Sequence, residues 1–391
     1  MGCAASRSAS GSDAALVGAR HLPPPPPPGD ALLSYLNVRA CTSLTTTTAN
    51  TTAAAADFVA ASPLLAPCGL ARADVAANAA EWRALGARVA ADLGLPAPGD
   101  LPSLKAPAAS RVYQYYLPVF FWVRRQLAAH RAAGQKGPLV VGVSAPQGCG
   151  KSTLCEELVS LLAHVGAPAA AVSVDDFYLT HAEQAKLAAR HGANPLLQSR
   201  GNAGSHDLRL GAATLRALKG AVAESSAVAL PRYDKSAFSG QGDRAAKESW
   251  PVAAGALDVV LFEGWMLGFA PVGAAAAAAA SPHLPAVDKF LESYKREWDA
   301  SVDAWLVVRV DDPGHAHAWR AEAEAAMAAQ GRPAMTPAEV STFVDRFMPA
   351  YKAYLPGLYG KGPTTAAPGK VLVVAVDKAR APVAEQPPPP M

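Results

Sequence analysis
Between about Val112 and Val376 the chain alternates short continuous apolar runs with stretches whose apolar residues recur at helical spacing. The runs Pro138–Ser144 ("PLVVGVS"), Ala169–Val174, Ala256–Phe262 ("ALDVVLF"), Ala304–Val310 ("AWLVVRV") and Val371–Val376 predict strands. Each is apolar on both faces rather than alternating, the pattern of a parallel sheet covered by helices on both sides. Between them, Lys151–His164 carries Leu154, Leu158, Leu161 and Leu162 on one helical face, with Gly166 as a stop. Leu215, Leu218 and Val222 mark another helix, and Val287, Phe290, Leu291, Tyr294 and Trp298 a third. Asp312-Pro313 and Thr336-Pro337-Ala338-Glu339 carry helix-start signals, the latter a capping box with proline at the first helical position.

Upstream of the strands, the spacing predicts one helix over Asp74–Leu95 and a second over Arg111–His130, largely apolar around its surface, with Pro118 as a kink or break. The expected fold class is therefore α/β: a three-layer α/β/α unit with a mainly parallel central sheet and an N-terminal helical extension. Its expected limits are a helical extension over 56–136, the α/β domain over 137–380 and a Pro-rich disordered tail over 381–391. No internal repeat is present.

Residues 1–55 depart from this pattern. Ser, Thr and Ala dominate, acids are rare, Arg7, Arg20 and Arg39 are dotted through, and Pro23–Pro28 form a polyproline tract. That composition predicts an organelle transit peptide, with a plain disordered segment as the alternative. Met1-Gly2-Cys3-Ala4-Ala5-Ser6 also fits an N-myristoylation signal beside a palmitoylatable cysteine, which would leave an acylated cytoplasmic protein.

Over 391 residues the formal net charge is only +3 and no long basic run occurs, which argues against a general nucleic-acid or membrane-surface role. The five cysteines have neither CxxC pairs nor metal spacing, so free thiols in a reducing compartment are expected. No apolar stretch is long enough to span a bilayer, and the run Ala274–Ala280 is short, so a soluble protein without stable membrane association is expected.

The chemistry begins where the first predicted strand ends. "SAPQGCGKST", Ser144–Thr153, is a phosphate loop (P-loop) with Ala145 in place of the usual first glycine. A loop of small residues opening a helix aims successive backbone N–H groups at phosphate oxygens, helped by the helix dipole. The nucleotide-binding residues are accordingly Ala145, Pro146, Gln147, Gly148, Cys149, Gly150, Lys151, Ser152 and Thr153. Lys151 is expected to reach the β- and γ-phosphates of ATP and Ser152 to ligate Mg²⁺. Alanine suffices at 145 if its φ is ordinary, because only a positive φ or a very close backbone approach demands glycine.

Glu263, ending the strand in "DVVLFEGW", supplies the acid that binds Mg²⁺ or its water. In "SVDDFYL", Asp175 and Asp176 follow the second strand, and ligands of open α/β sheets lie beyond the carboxyl ends of the strands. One of the two can accept the proton of an attacking hydroxyl. The fold is thus expected to be of the P-loop NTPase type, and the absence of an Asn-Lys-x-Asp guanine-reading motif leaves a kinase.

Together, "SAPQGCGKST", "SVDDFYLT", "RGNAGSHD", "PRYDKSAFSGQGDR", "LFEGWMLGF" and "FMPAYKAYLPGLY" make roughly Arg111–Val376 resemble the plant-type D-glycerate 3-kinases, within the wider group of uridine kinase, phosphoribulokinase and pantothenate kinase. The resemblance implies ATP-dependent phosphorylation of D-glycerate to 3-phosphoglycerate, the photorespiratory reaction of the chloroplast stroma. It implies Asp175 as general base and a lid arginine after the fourth strand, first Arg320, then Arg332. A small hydroxy acid needs charge-assisted bonds to its carboxylate, for which Arg200, His206, Arg232, Lys235 and Arg244 are candidates, with Asp176, Tyr178, Asp207 and Tyr233 for its hydroxyls. A monomer is expected. Two other readings stay open: a kinase of a nucleoside or phosphosugar such as uridine or ribulose 5-phosphate, and a nucleotide-dependent binding module without kinase activity.

Overall fold
The computed structural model describes residues 56–95, 106–332 and 334–384; residues 1–55 and most of the Pro-rich tail lie outside them. Five parallel strands form the central sheet: β1 Leu139–Ser144, β2 Ala169–Ser173, β7 Val259–Gly264, β8 Ala304–Val310 and β9 Val371–Val376, in the order β2-β7-β1-β8-β9. β1, β7 and β8 are buried at every residue, as runs apolar on both faces require. Gly142 in the middle of β1 has a packing reason. A Cβ there would lie 2.7 Å from the Trp305 ring and 2.9 Å from Val302, so glycine lets the tryptophan lie flat on the strand.

The order places β1 at the point where the chain switches from one half of the sheet to the other. β7 and β2 lie on one side of it, β8 and β9 on the other. The register pairs Val143 with Glu263 and Ser173 with Glu263, so the carboxyl ends of β1, β7 and β2 are level. Ligand crevices open at such a switch.

One face of the sheet is covered by α4, Lys151–His164, and by the N-terminal helices. These are α1 (Arg72–Ala77), α2 (Ala79–Asp92) and α3 (Leu117–Ala132), whose Val75, Trp82, Phe120 and Trp122 join the β1 and α4 side chains in one core. The Trp82 and Phe121 rings stack at 4.6 Å, and Arg88 donates to Ser160 Oγ on α4 at 2.9 and 3.1 Å. The other face is covered by α6 (Leu208–Lys219), α8 (Leu284–Glu297) and α11 (Met348–Lys361) around Phe177, Phe262, Trp298, Trp305 and Tyr351. The remaining helices are α5 (His181–Arg190), α7 (Ala274–Ala280), α9 (His315–Ala329) and α10 (Pro337–Asp345). No helix among the described residues is long and apolar enough to cross a membrane.

Several element limits differ from the sequence expectation. The helix expected over Asp74–Leu95 is two helices divided at Asn78. Pro118 does not break its helix: Ala106–Ala109 runs through a π-segment, Ser110–Tyr116, into α3. Proline cannot donate to the carbonyl four residues earlier and its ring crowds that carbonyl. The wider π turn makes room, and the Gln114 carbonyl accepts from Ser62 Oγ at 2.6 Å instead.

The strand expected at Ala256 begins at Val259, because Gly255 (φ +85°) and the following residues turn out of β6, Val252–Ala254. Val222 is 56% exposed beyond the end of α6. Asp312 accepts from Gly314 N at 2.7 Å in a turn, and the helix begins only at His315. Thr336 caps α10 with Glu339 in the expected reciprocal box. Two short antiparallel pairs, β3 (Ala227–Ala229) with β6 and β4 (Tyr233–Asp234) with β5 (Asp243–Arg244), are too short to leave a periodic signal.

Candidate active site
The loop after β1 is built as a phosphate cradle. Its left-handed positions are Gly148 (φ +80°) and Gly150 (φ +89°), whereas Ala145 has no positive φ and donates its N–H to the Gly264 carbonyl at 3.2 Å. Two distant elements brace the loop. Tyr351 Oη on α11 accepts from Gln147 N at 2.9 Å, and Arg380 Nε donates to the Gly148 carbonyl at 2.8 Å while its guanidinium lies over Trp319. A Cβ at Gly148 would lie 2.6 Å from Trp319 Cβ, which reinforces the need for glycine. Cys149 is buried with its thiol directed to the Pro146 carbonyl, and burial pushes that thiol up to about 11, so it fills space rather than reacting.

Glu263 is brought to the first turn of α4 by the register of β7 with β1. Its Oε1 accepts from Ser152 Oγ at 2.8 Å, and its Oε2 lies 3.7 Å from Lys151 Nζ, buried and without a hydrogen-bond partner. An orphaned carboxylate oxygen beside a hydroxyl is an all-oxygen donor set of the kind Mg²⁺ takes together with nucleotide phosphates. Burial disfavours the charge of Lys151, but Glu263 and then Asp175 outweigh it, so its pKa is raised and the ammonium persists.

At the end of β2 the chain makes a single 3-10 turn, Val174–Phe177, capped by Ser173, whose Oγ accepts from Asp175 N at 3.2 Å. This turn separates the two acids. Asp175 accepts from Tyr178 Oη at 2.8 Å and from Lys235 Nζ at 2.6 Å. Asp176 turns aside to Ser173 N and to Arg232 at 3.2 Å. Burial alone would raise both. At Asp175 the Lys235 and Lys151 charges overcome burial and hold the carboxyl well below the usual carboxylate range, whereas burial prevails at Asp176.

The chain is similar to several known proteins. It is 42% identical over 352 residues to the chloroplastic D-glycerate 3-kinase of Arabidopsis thaliana, covering 88% of this chain and 76% of the relative. The chain belongs to the D-glycerate 3-kinase family. It is also 36% identical over 235 residues to an uncharacterized kinase, mug58, of Schizosaccharomyces pombe, covering 57% of this chain and 83% of that protein. Among solved structures, a D-glycerate 3-kinase from Cryptococcus neoformans matches with a TM-score of 0.62 at 35% identity, over 68% of this chain and 97% of that one. No family model matches the chain.

Within this family member, the other sequence-predicted residues divide into those around Asp175 and those engaged elsewhere. Tyr178, which bonds Asp175, packs on His206 with ring centroids 4.7 Å apart and edge-on to Tyr233 at 5.3 Å, so His206 and Tyr233 flank the acid's tyrosine. His206 Nδ1 bonds Tyr294 Oη at 2.8 Å, and burial lowers its pKa to about 4, leaving the ring neutral near pH 7. It therefore offers no charge to a carboxylate. Asp207 caps α6 through Leu210 N at 3.0 Å and pairs with Arg244 at 3.2 Å, a structural use of both carboxylate oxygens.

Arg320 is turned to the contact between α9 and α10, ion-paired with the buried Glu324 and stacked over Phe343 at 4.9 Å. Arg332 is exposed. Trp319 and Arg380 escaped the sequence reading because the loop residues they brace lie far along the chain; Tyr351 lies within "FMPAYKAYLPGLY", which gave it no role, and Arg346, just ahead of that motif, also escaped.

Proposed function
We propose that this protein is an ATP- and Mg²⁺-dependent kinase that phosphorylates the 3-hydroxyl of D-glycerate to give 3-phosphoglycerate. The observation that carries the reading is the convergence of Lys151, Ser152, Glu263 and Asp175 at three level strand ends, with the Asp175 carboxylate coupled electrostatically to Lys151. A binding module needs the loop; only a phosphotransferase needs a base opposite it.

Asp175 accepts the proton of the acceptor hydroxyl, whose oxygen attacks the γ-phosphorus in line as the bond to the ADP oxygen breaks. Lys151 meets the charge on the transferring phosphoryl and the loop N–H groups hold the β-phosphate. Ser152 and Glu263 would hold Mg²⁺, which neutralises phosphate charge when bound. Lys235, exposed in the turn between β4 and β5, must leave Asp175 for the acid to regain basicity. The composition of residues 1–55, together with the chloroplastic relative, supports import into the chloroplast stroma and a place in photorespiration, the segment acting as a transit peptide.

Release of ADP tested against D-glycerate, L-glycerate, uridine, ribulose 5-phosphate and pantothenate discriminates the readings. Turnover with D-glycerate alone is the expected outcome. Turnover only with uridine or ribulose 5-phosphate supports the nucleoside or phosphosugar kinase, and nucleotide binding without any turnover supports the binding module.

A further inference from the structure
A D-glycerate kinase must recognise a carboxylate, and the cations around Asp175 differ in whether they are free to do so. Arg232 is engaged by Asp176 and the Pro231 carbonyl, Arg244 by Asp207 and the Tyr178 carbonyl, and Lys235 by Asp175. Arg200, a sequence candidate, directs its guanidinium to the carbonyls of Gly240, Gln241 and Lys235, so its donors fasten the β4–β5 hairpin.

Arg346 differs from all of these. It stands between α10 and α11, half-buried, with its guanidinium over the rings of Phe343 at 5.1 Å and Phe347 at 6.0 Å. No described residue accepts a hydrogen bond from it, and its Nε is buried without a partner. Its backbone is fixed against the loop that carries Arg200. Asn202 Nδ2 donates to the Arg346 carbonyl at 3.2 Å, and the Phe347 ring occupies the space a side chain at Gly201 would need, 2.5 Å from an ideal Cβ.

The aromatic rings hold the guanidinium plane and leave its donor fork open, the geometry that suits bidentate capture of a carboxylate. Burial, and after it the like charge of Arg200, lower the Arg346 pKa, while Tyr178, whose hydroxyl bonds Asp175, raises it. Arg346 is thus joined through this loop to Arg200, whose guanidinium lies over Tyr233 at 5.6 Å, and to His206, which pairs with Tyr178 beside the base, so the two arginines form a like-charge pair at this loop. Such a pair is relieved by an anion.

We propose that Arg346, backed by the charge of Arg200, is the clamp for the acceptor's carboxylate and makes the enzyme select a hydroxy acid over its neutral analogue. The proposal rests on the D-glycerate reading above.

The test compares the wild-type chain with Arg346→Gln and Arg346→Lys, measuring initial rates on D-glycerate and on methyl D-glycerate, which keeps both hydroxyls and lacks the charge. Nucleotide affinity is measured separately by titration with a fluorescent ATP analogue. Arg346→Gln is expected to raise the KM for D-glycerate by about 30-fold or more, the scale for removing one member of a buried charged pair. Its nucleotide affinity and its kcat/KM on the methyl ester are expected to stay within about twofold of wild type. If Arg346→Gln does not fold, Arg346→Lys decides, because a point charge without the planar fork should still raise the KM about tenfold.

A KM for D-glycerate unchanged in either folded variant overturns the clamp, and so does an equal loss on the methyl ester or in ATP affinity. A wild-type chain that phosphorylates no glycerate overturns the acceptor reading and the clamp with it.

Discussion
Lys235 Nζ lies 2.6 Å from Asp175 Oδ2, across 60 positions of sequence. The pair keeps the proposed base ionised and also weak, because burial, which would raise the carboxyl, is outweighed by the lysine charge. Lys235→Met removes that charge, so the Asp175 pKa should rise. The acid limb of the kcat/KM profile, which reports the free enzyme, should then move to higher pH. An acid limb that stays in place would separate Lys235 from the base.

Asp175→Asn keeps the shape of the 3-10 turn and removes the proton acceptor. Nucleotide affinity should be retained, while kcat falls about a hundredfold or more, the scale of a lost general base. Turnover near the wild-type value would transfer the role to another group, with Asp176 the first to examine.

Ser152→Ala and Glu263→Gln each remove one side of the oxygen pair at 2.8 Å. Both should raise the Mg²⁺ concentration for half-maximal rate, by about 10- to 100-fold, the range seen when a metal site loses a supporting group. An unchanged Mg²⁺ dependence in both variants would place the ion elsewhere.

Gly142→Ala puts a methyl group 2.7 Å from the Trp305 ring in the middle of the sheet. Overpacking of a close-packed core should cost about 1–3 kcal/mol, read as a lower midpoint in denaturant. A midpoint equal to wild type would mean that the tryptophan has room to shift.

His206 adds a pH term of known sign. Its pKa falls from 6.5 in the unfolded chain to about 4 on burial, so the unfolded chain takes up a proton that the folded form refuses between those values. The term is absent above pH 6.5 and destabilises progressively down to pH 4, by about 3 kcal/mol. Glu157 and Asp299, pushed up to about 7 by burial, act in the opposite direction over the same window. The informative quantity is therefore the difference from His206→Gln: the wild type should lose more stability on acidification than the variant. Parallel curves would show that His206 titrates normally.

Much of the site was legible in the sequence because its parts are local. A phosphate loop is one turn of backbone, Glu263 ends an apolar run, and "SVDDFY" carries its own cap at Ser173. Sequence alone likewise determined the alternation of strand and helix, since burial on both faces leaves continuous apolar runs, and it identified the family through motifs held together by chemistry. The tertiary structure alone decided which of the two acids faces Lys151, because a single capped turn sends Asp175 and Asp176 to different partners. It alone decided that Arg200, Arg232 and Arg244 are engaged, that Arg320 turns to Glu324, and that Arg346 lies over Phe343 and Phe347 without an acceptor among the described residues. Those outcomes depend on pairings made across the fold, where the energy of a charge is set by which groups surround it in space and not by its neighbours along the chain.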